Sequence, residues 1–180
     1  VRVVIISDTH DALEAVEKFR KIFDGLEADI IIHLGDYVSP FTMKALVALT
    51  DKLIGVFGNN DGDKVKLMSF KADIDDQPRT LEIDGMKAIL FHGFKTKEMT
   101  REIIYSVAKS GSYDMVLYGH THEPDLQIIN DTVVVNPGSL AGYLAERRTY
   151  AVLDTEKSQV LIYDLDSGSI VSELRFPRKQ

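Results

Sequence analysis

The sequence predicts a fold of mixed α/β and α+β character, in which two mixed β-sheets pack together with helices on the outside. Three observations predict it. Short apolar runs alternate with segments of helical period through the first two-thirds of the chain, and only strand patterns follow. Five of the apolar runs end in a short polar signature. Strand–helix alternation argues for a sheet covered by helices, and a strand-only end argues for further strands joined by turns.

In chain order, Arg2 to Ser7 reads as the first strand. Leu13, Val16, Phe19, Ile22 and Phe23 recur at helical spacing, and Gly25 is the expected stop of that helix. Asp29 to Leu34 is nearly continuous in apolar character, as expected of a strand covered on both faces. Ser39-Pro40 supplies a helix cap and a proline at the first helical position, opening a helix to about Leu49. Leu53 to Phe57 is the third strand, and a short helix follows from Lys64. Arg79–Glu82 and Lys87–Phe91 flank Asp84-Gly85, a tight hairpin turn. A helix from Lys97 to Lys109 leads into the strand Asp114–Tyr118. The remainder reads as a meander: Leu126–Ile129, a turn at Asn130-Asp131, Val133–Val135, Tyr150–Leu153, Val160–Tyr163 and Ile170–Leu174. The tail from Pro177 to Gln180 is expected to fray.

A length of 180 residues fits a single domain, 1–180, and the 44% apolar and 27% charged fractions are those of an ordinary globular protein. Cysteine is absent, which removes disulfides, thiolate zinc sites and a cysteine nucleophile. The chain starts in a strand-like run with no basic leader, and no apolar stretch approaches the ~20 residues of a membrane-spanning helix. The expectation is a cytoplasmic protein with no membrane partner. A net charge of −7 argues against a nucleic-acid coat. Bound divalent cations would nevertheless put positive charge inside a cleft and attract phosphate.

The polar signatures carry the chemistry. Asp8-Thr9-His10 follows Val3–Ile6, Gly35-Asp36 follows Ile30–Leu34, and Gly58-Asn59-Asn60-Asp61 follows Leu53–Phe57. His92-Gly93 follows Ala88–Phe91, and Gly119-His120-Thr121-His122 follows Met115–Tyr118. In open α/β sheets, ligands bind beyond the carboxyl ends of strands, where residues distant in sequence meet. The candidates Asp8, His10, Asp36, Asn59, His92, His120 and His122 offer oxygen and nitrogen without sulfur, a set suited to transition metals over magnesium or calcium. Seven is too many for one tetrahedral ion, and suits two ions sharing a carboxylate.

The order Asp-x-His, Gly-Asp, Gly-Asn-x-Asp, His-Gly, Gly-His-x-His resembles the calcineurin-like metallophosphoesterase superfamily, over Val1 to about Leu153. The compact length is similar to its small bacterial and archaeal phosphodiesterase branch, which also contains the retromer subunit of this fold. Asn136-Pro137-Gly138-Ser139 resembles a turn common in that branch. The resemblance implies a four-layer α-β-β-α sandwich with metals at one rim. It also implies Asp8, His10 and His122 on one ion, Asn59, His92 and His120 on the other, and Asp36 bridging both. Manganese leads as the cofactor, with nickel, cobalt, iron or zinc as alternatives. A bridging carboxylate holds two ions at the ~3.5–4 Å used in two-metal hydrolysis, where shared water becomes the nucleophile. The implied function is hydrolysis of a small phosphoester, foremost a phosphodiester and secondarily a phosphomonoester, by a monomer or homodimer with little room for a cap over the site.

One departure from the family concerns catalysis. Many members carry histidine where this chain has Asn60, and an amide cannot serve as a general acid, although it can donate a hydrogen bond to a phosphoryl oxygen. Asp61 then loses the imidazole it would orient. Asn60 and Asp61 remain the catalytic candidates, with activated esters or diesters favoured. Two alternatives stand beside this reading: a catalytically weak protein-interaction scaffold of the same fold, and a binuclear hydrolase of carbon–nitrogen or carboxylic ester bonds. The latter places His-x-His early and a lone carboxylate late, the reverse of the order here.

Other residues have plainer expectations. His33 lies inside its apolar run and reads as a buried imidazole, and Asp11 as the cap of the first helix. Arg147-Arg148 is a candidate phosphate clamp as much as a surface pair. Tyr37, Phe94 and Tyr143 are rim aromatics or packing groups. Ser139 is a backbone feature of its turn, and Lys64 and Lys66 are solvated.

Overall fold

The computed structural model describes residues 1–177. Seven strands form one sheet: β1 (Arg2–Ile6), β2 (Ile30–His33), β3 (Leu53–Val56), β4 (Asp73–Asp75), β10 (Thr149–Asp154), β11 (Gln159–Asp164) and β12 (Ile170–Arg175), in the order β12-β11-β10-β1-β2-β3-β4. Five form the other: β5 (Arg79–Ile83), β6 (Met86–Leu90), β7 (Met115–Leu117), β8 (Asp125–Ile129) and β9 (Thr132–Asn136), in the order β5-β6-β7-β9-β8. Helices α1 (Leu13–Phe23), α2 (Pro40–Val47), α3 (Lys64–Met68) and α4 (Lys97–Lys109) complete the fold.

Side-chain alternation explains the layers. In β1, Val3 and Ile5 point to one face and Val4 and Ile6 to the other, and all four are fully buried. Val3 and Ile5 join Ile32, Val56, Leu90, Leu117 and Val135 in a core between the two sheets. Val4 and Ile6 pack with Phe19, Met43 and Leu67 beneath α1, α2 and α3. On the outer face of the second sheet, Ile89, Val116 and Val134 pack with Ile104 and Ala108 of α4. The result is the expected helix–sheet–sheet–helix sandwich.

Parallel pairing positions the site. β1, β2, β3 and β4 pair parallel in that order, as do β6, β7 and β9. Their carboxyl ends therefore gather in one rim, and that rim carries all five polar signatures.

Several expectations are corrected. The terminal meander is divided: β8 and β9 stay in the five-stranded sheet, and the chain crosses to the other sheet before β10. The first helix ends at Phe23, and Gly25 lies inside a following 3-10 turn, Asp24–Leu26, closed by Glu27 in the left-handed region at φ 49°. Asp11 does not cap α1, whose N-cap is Ala12 without a side-chain bond. Its Oδ1 instead accepts from Ser39 N–H, Ser39 Oγ at 2.6 Å and Thr42 Oγ1 at 2.7 Å, bracing the start of α2. Ser39 caps α2 as expected, accepting from Phe41 N–H. Strand β4 was not anticipated: Asp73-Ile74-Asp75 is polar at both ends, and its register along β3 fixes it. Residues 178–180 of the tail expected to fray lie outside the described residues. Among the described residues no helix is long and apolar enough to cross a membrane.

The apolar face of α1 is narrower than its sequence pattern. Val16, Phe19 and Phe23 are buried, with Phe19 edge-on to Tyr150 at 5.3 Å, whereas Leu13 is 45% exposed. Phe19→Ala is expected to cost about 3–5 kcal/mol of stability, and Leu13→Ala less than about 0.5 kcal/mol. Chemical denaturation of the two variants checks this contrast, and equal losses would contradict the assigned packing face.

Candidate metal centre

Each donor sits just past a strand end, where the backbone turns sharply. Asp8, His10, Asp36, His120 and His122 all have positive φ, between 41° and 66°. Asp and His enter this region more readily than most residues, yet a cluster of such conformations stores strain that the surroundings must hold. The loops hold one another. Asp8 N–H donates to Gly35 O at 3.0 Å, His10 N–H to Asp36 O at 3.1 Å, and Gly119 N–H to His92 O at 2.9 Å. Two glycines allow the approach: a Cβ on Gly58 would lie 2.2 Å from Asp36 Oδ1, and one on Gly119 would lie 2.1 Å from Ser7 Oγ.

All seven sequence-predicted donors meet at this rim, in two groups. In the first, ligand atoms of Asp8, His10, Asp36 and His122 lie within 4.8 Å of one another. His122 Nε2 is 3.1 Å from Asp8 Oδ1 and 3.2 Å from His10 Nε2. The second group surrounds His92 Nε2, which is 2.9 Å from Asn59 Oδ1 and 3.3 Å from His120 Nδ1. Asp36 Oδ2 belongs to both, 3.4 Å from His10 Nε2 and 3.5 Å from His92 Nε2.

The outer nitrogens decide what the inner ones are. His92 Nδ1 faces Leu34 O at 2.7 Å, His122 Nδ1 faces Tyr143 O at 2.6 Å, and His120 Nε2 faces Lys95 O at 3.1 Å. A carbonyl only accepts, so each of these outer nitrogens carries the proton and a neutral ring presents its inner nitrogen as a lone pair. Lone pairs are thereby aimed at carboxylate and carboxamide oxygens, which are acceptors too. Asp8 shows the consequence: Oδ2 accepts from Ser7 Oγ at 2.6 Å and His120 N–H at 3.0 Å, but Oδ1 is buried without a hydrogen-bond partner. A buried acceptor surrounded by lone pairs fits a divalent cation.

Without a cation, protons must take its place. Burial alone would lower the pKa of His92, but hydrogen bonding to Asp36 and the charges of Asp8 and Asp36 outweigh it and lift it to about 9. Burial would likewise lower His122, and Asp8 raises it. Burial opposes ionisation of Asp8 and Asp36, yet the imidazoles hold Asp8 well below the usual carboxylate range and Asp36 at about 2. The negative potential that protonates these rings is the one that a metal ion neutralises.

The remaining candidates separate clearly. Asp61 is buried and accepts from Asp36 N–H at 2.9 Å, Gly58 N–H at 2.7 Å and Val38 N–H at 2.7 Å, tying the β2 and β3 loops together. Burial raises its pKa, and these amides offset part of that. Asn60 is exposed and turned onto Asp36, donating from N–H to Oδ1 and from Nδ2 to Oδ2, both at 2.8 Å. His33 is buried as expected, pulled to about 3 by burial, and links Thr9 Oγ1 to Gly35 N–H. Tyr37 is fully buried and stacked on His33 at 3.9 Å, so it is a packing group. Phe94 packs against the α4 core, while Tyr143 is 55% exposed at the rim. Arg148 is paired with Glu14 at 2.6 Å. Ser139 Oγ donates to Asp8 O at 3.0 Å, a backbone brace within its turn. Lys64 is paired with Asp76 rather than merely solvated.

Sequence reasoning missed Gln77. Its Oε1 accepts from His92 N–H at 2.8 Å and Gly93 N–H at 3.1 Å, and its Nε2 donates to Gly93 O at 2.9 Å. It acts entirely through backbone atoms, and no motif marks it.

Residues 1–158 match the calcineurin-like phosphoesterase superfamily domain, and the chain belongs to that family. It is 37% identical over 164 residues to a phosphodiesterase of Methanocaldococcus jannaschii, covering 88% of this chain and 96% of that protein. The solved structure of an archaeal phosphodiesterase superposes with a TM-score of 0.81 at 35% identity, over 91% of this chain and 99% of that one. Vps29 of Entamoeba histolytica in complex with zinc shares the fold, with a TM-score of 0.74 at 19% identity over 98% of this chain and 100% of that one. The chain is therefore a metallophosphoesterase, a hydrolase of phosphoesters.

A ligand that binds only the folded state stabilises it, by about 4 kcal/mol at a thousandfold excess over its Kd. Manganese added to chelator-treated protein is thus expected to raise Tm by several degrees, and Asp8→Asn to lose most of that rise. An unchanged Tm in the wild type would contradict the assignment of these residues as ligands.

Proposed function

We propose that the chain is a phosphodiesterase acting through two divalent transition-metal ions, manganese foremost. Asp8, His10 and His122 would hold one ion, Asn59, His92 and His120 the other, and Asp36 both. The observation that carries this reading is Asp36 Oδ2, placed within 3.4 Å of His10 Nε2 and 3.5 Å of His92 Nε2, one carboxylate oxygen facing both donor groups. Such ions supply Lewis acidity toward phosphoryl oxygens and make water a nucleophile at neutral pH.

The chain's own groups supply the rest. Carbonyls of Leu34, Lys95 and Tyr143 fix the imidazole tautomers, and Asp61 holds the Asp36 backbone in place. Asn60 restrains the shared carboxylate through two hydrogen bonds. Its Nδ2–H, on the shared carboxylate at 2.8 Å, can instead donate to a phosphoryl oxygen bound there, but an amide cannot protonate a leaving alkoxide. Departure is therefore easiest for groups stable as anions. The identity to an archaeal phosphodiesterase supports the diester preference.

Hydrolysis of a chromogenic aryl phosphodiester by manganese-loaded protein tests this. Asp36→Asn is expected to lose several kcal/mol of transition-state stabilisation, a fall in kcat of at least about a hundredfold. Equal rates in the two proteins would reject the mechanism. Asn60→His is expected to accelerate esters with poor leaving groups by about tenfold or more, and activated aryl esters far less. A uniform effect along the leaving-group series would contradict the role given to Asn60.

A further inference from the structure

Beside His122 a groove of about 440 Å³ opens, lined by Pro124, Leu144, Ala145, Arg147 and Val171 among others. Leu144 is the unusual member. It sits at φ 54°, where its Cβ crowds the following carbonyl, and it is 86% exposed. The conformation costs energy, and an apolar side chain held in water recovers none of it. Tyr143, the preceding residue, is 55% exposed, with its ring 6.3 Å from that of His10.

The segment is fixed, and fixed to the donor cluster. Tyr143 O accepts from His122 Nδ1 at 2.6 Å, and Ala145 N–H closes a turn on Gly142 O. Packing does not account for two large side chains turned outward from so short a turn. Strain of this kind, next to a reactive centre, points to function. Charge in the groove is partly committed: Glu123 is engaged by Lys97 and Arg101. Arg147 lines the groove and is exposed, and although its charge acts on Asp164, its guanidinium is within the groove's reach to lie over a ring.

We propose that Tyr143 and Leu144 form a shelf that binds an aromatic substituent of the phosphodiester, seated in the groove beside His122 with Arg147 over its face. The proposal rests on the phosphodiesterase reading and names its substrate class: diesters in which the group retained after hydrolysis is an aryl or heteroaryl ring. Such a ring gains by leaving water for the shelf, and a methyl group in its place gains little.

Leu144→Gly tests it. Glycine adopts this backbone without strain, so the variant is expected to keep or raise Tm, and lost selectivity cannot then be ascribed to unfolding. With the manganese-loaded full chain, a bis-aryl phosphodiester is compared with a methyl aryl diester having the same leaving group. The wild type is expected to favour the bis-aryl ester in kcat/KM by about tenfold or more, and the variant to lose most of that ratio through KM. A ratio unchanged by the substitution would overturn the proposal. Calorimetric binding of phenylphosphonate against methylphosphonate gives a readout without turnover. A phenyl preference in the wild type that shrinks in Leu144→Gly supports the shelf even if neither ester is hydrolysed, in which case the phosphodiesterase reading alone fails. Equal affinity of the wild type for the two phosphonates sinks the shelf, whatever the esters show.

Discussion

Acceptors facing acceptors are the constraint from which the rest of this structure follows. His92, His120 and His122 each commit their outer N–H to a backbone carbonyl, so that the inner nitrogens of His92 and His122 face carboxylate oxygens of Asp36 and Asp8, and that of His120 faces His92. Asp8 Oδ1, fully buried and without a hydrogen-bond partner, lies among them. No arrangement of neutral side chains relieves this crowding. Protons relieve it partly, as the raised pKa of His92 shows, and multivalent cations relieve it better.

The scaffold is organised to hold that unfavourable arrangement. Parallel strands deliver five loops to one rim, and the loops are joined by backbone hydrogen bonds, by Asp61 between the β2 and β3 ends, and by Gln77 beneath His92. Positive φ at five donors aims their side chains inward, and buried strands behind them absorb the strain. Small residues are required where loops touch. Gly58 lies against Asp36, and Gly119 against Ser7, with no space for a methyl group. Leu144, at φ 54° beside Tyr143, is another strained position at this rim, and its side chain is exposed.

Much of this was legible in the sequence, for identifiable reasons. Strands buried on both faces produce unbroken apolar runs, and a parallel sheet puts polar ligands at their ends, so the seven donors announced themselves as exceptions after Ile6, Leu34, Phe57, Phe91 and Tyr118. The turns Asp84-Gly85 and Asn130-Asp131 were readable because both residues of each adopt positive φ. What escaped acts through backbone atoms or tertiary register. Gln77 binds amides and a carbonyl, so any polar residue there would have looked equally bland. Asp11 braces α2 rather than α1, a choice made by packing between helices and not by local spacing. Strand β4 has polar ends and gains its identity from pairing with β3. The division of the last five strands between two sheets is likewise a tertiary decision, since hairpins look alike in either sheet.

Metal stoichiometry addresses the central claim most directly. Protein purified without chelators, loaded with manganese and freed of excess ion, can be assayed for metal by elemental analysis, with paramagnetic resonance reporting whether neighbouring ions are coupled. The account predicts two ions per chain with a spin-coupled signal, because Asp36 is shared. One ion per chain, or two with no magnetic coupling, would contradict a centre built around a single bridging carboxylate.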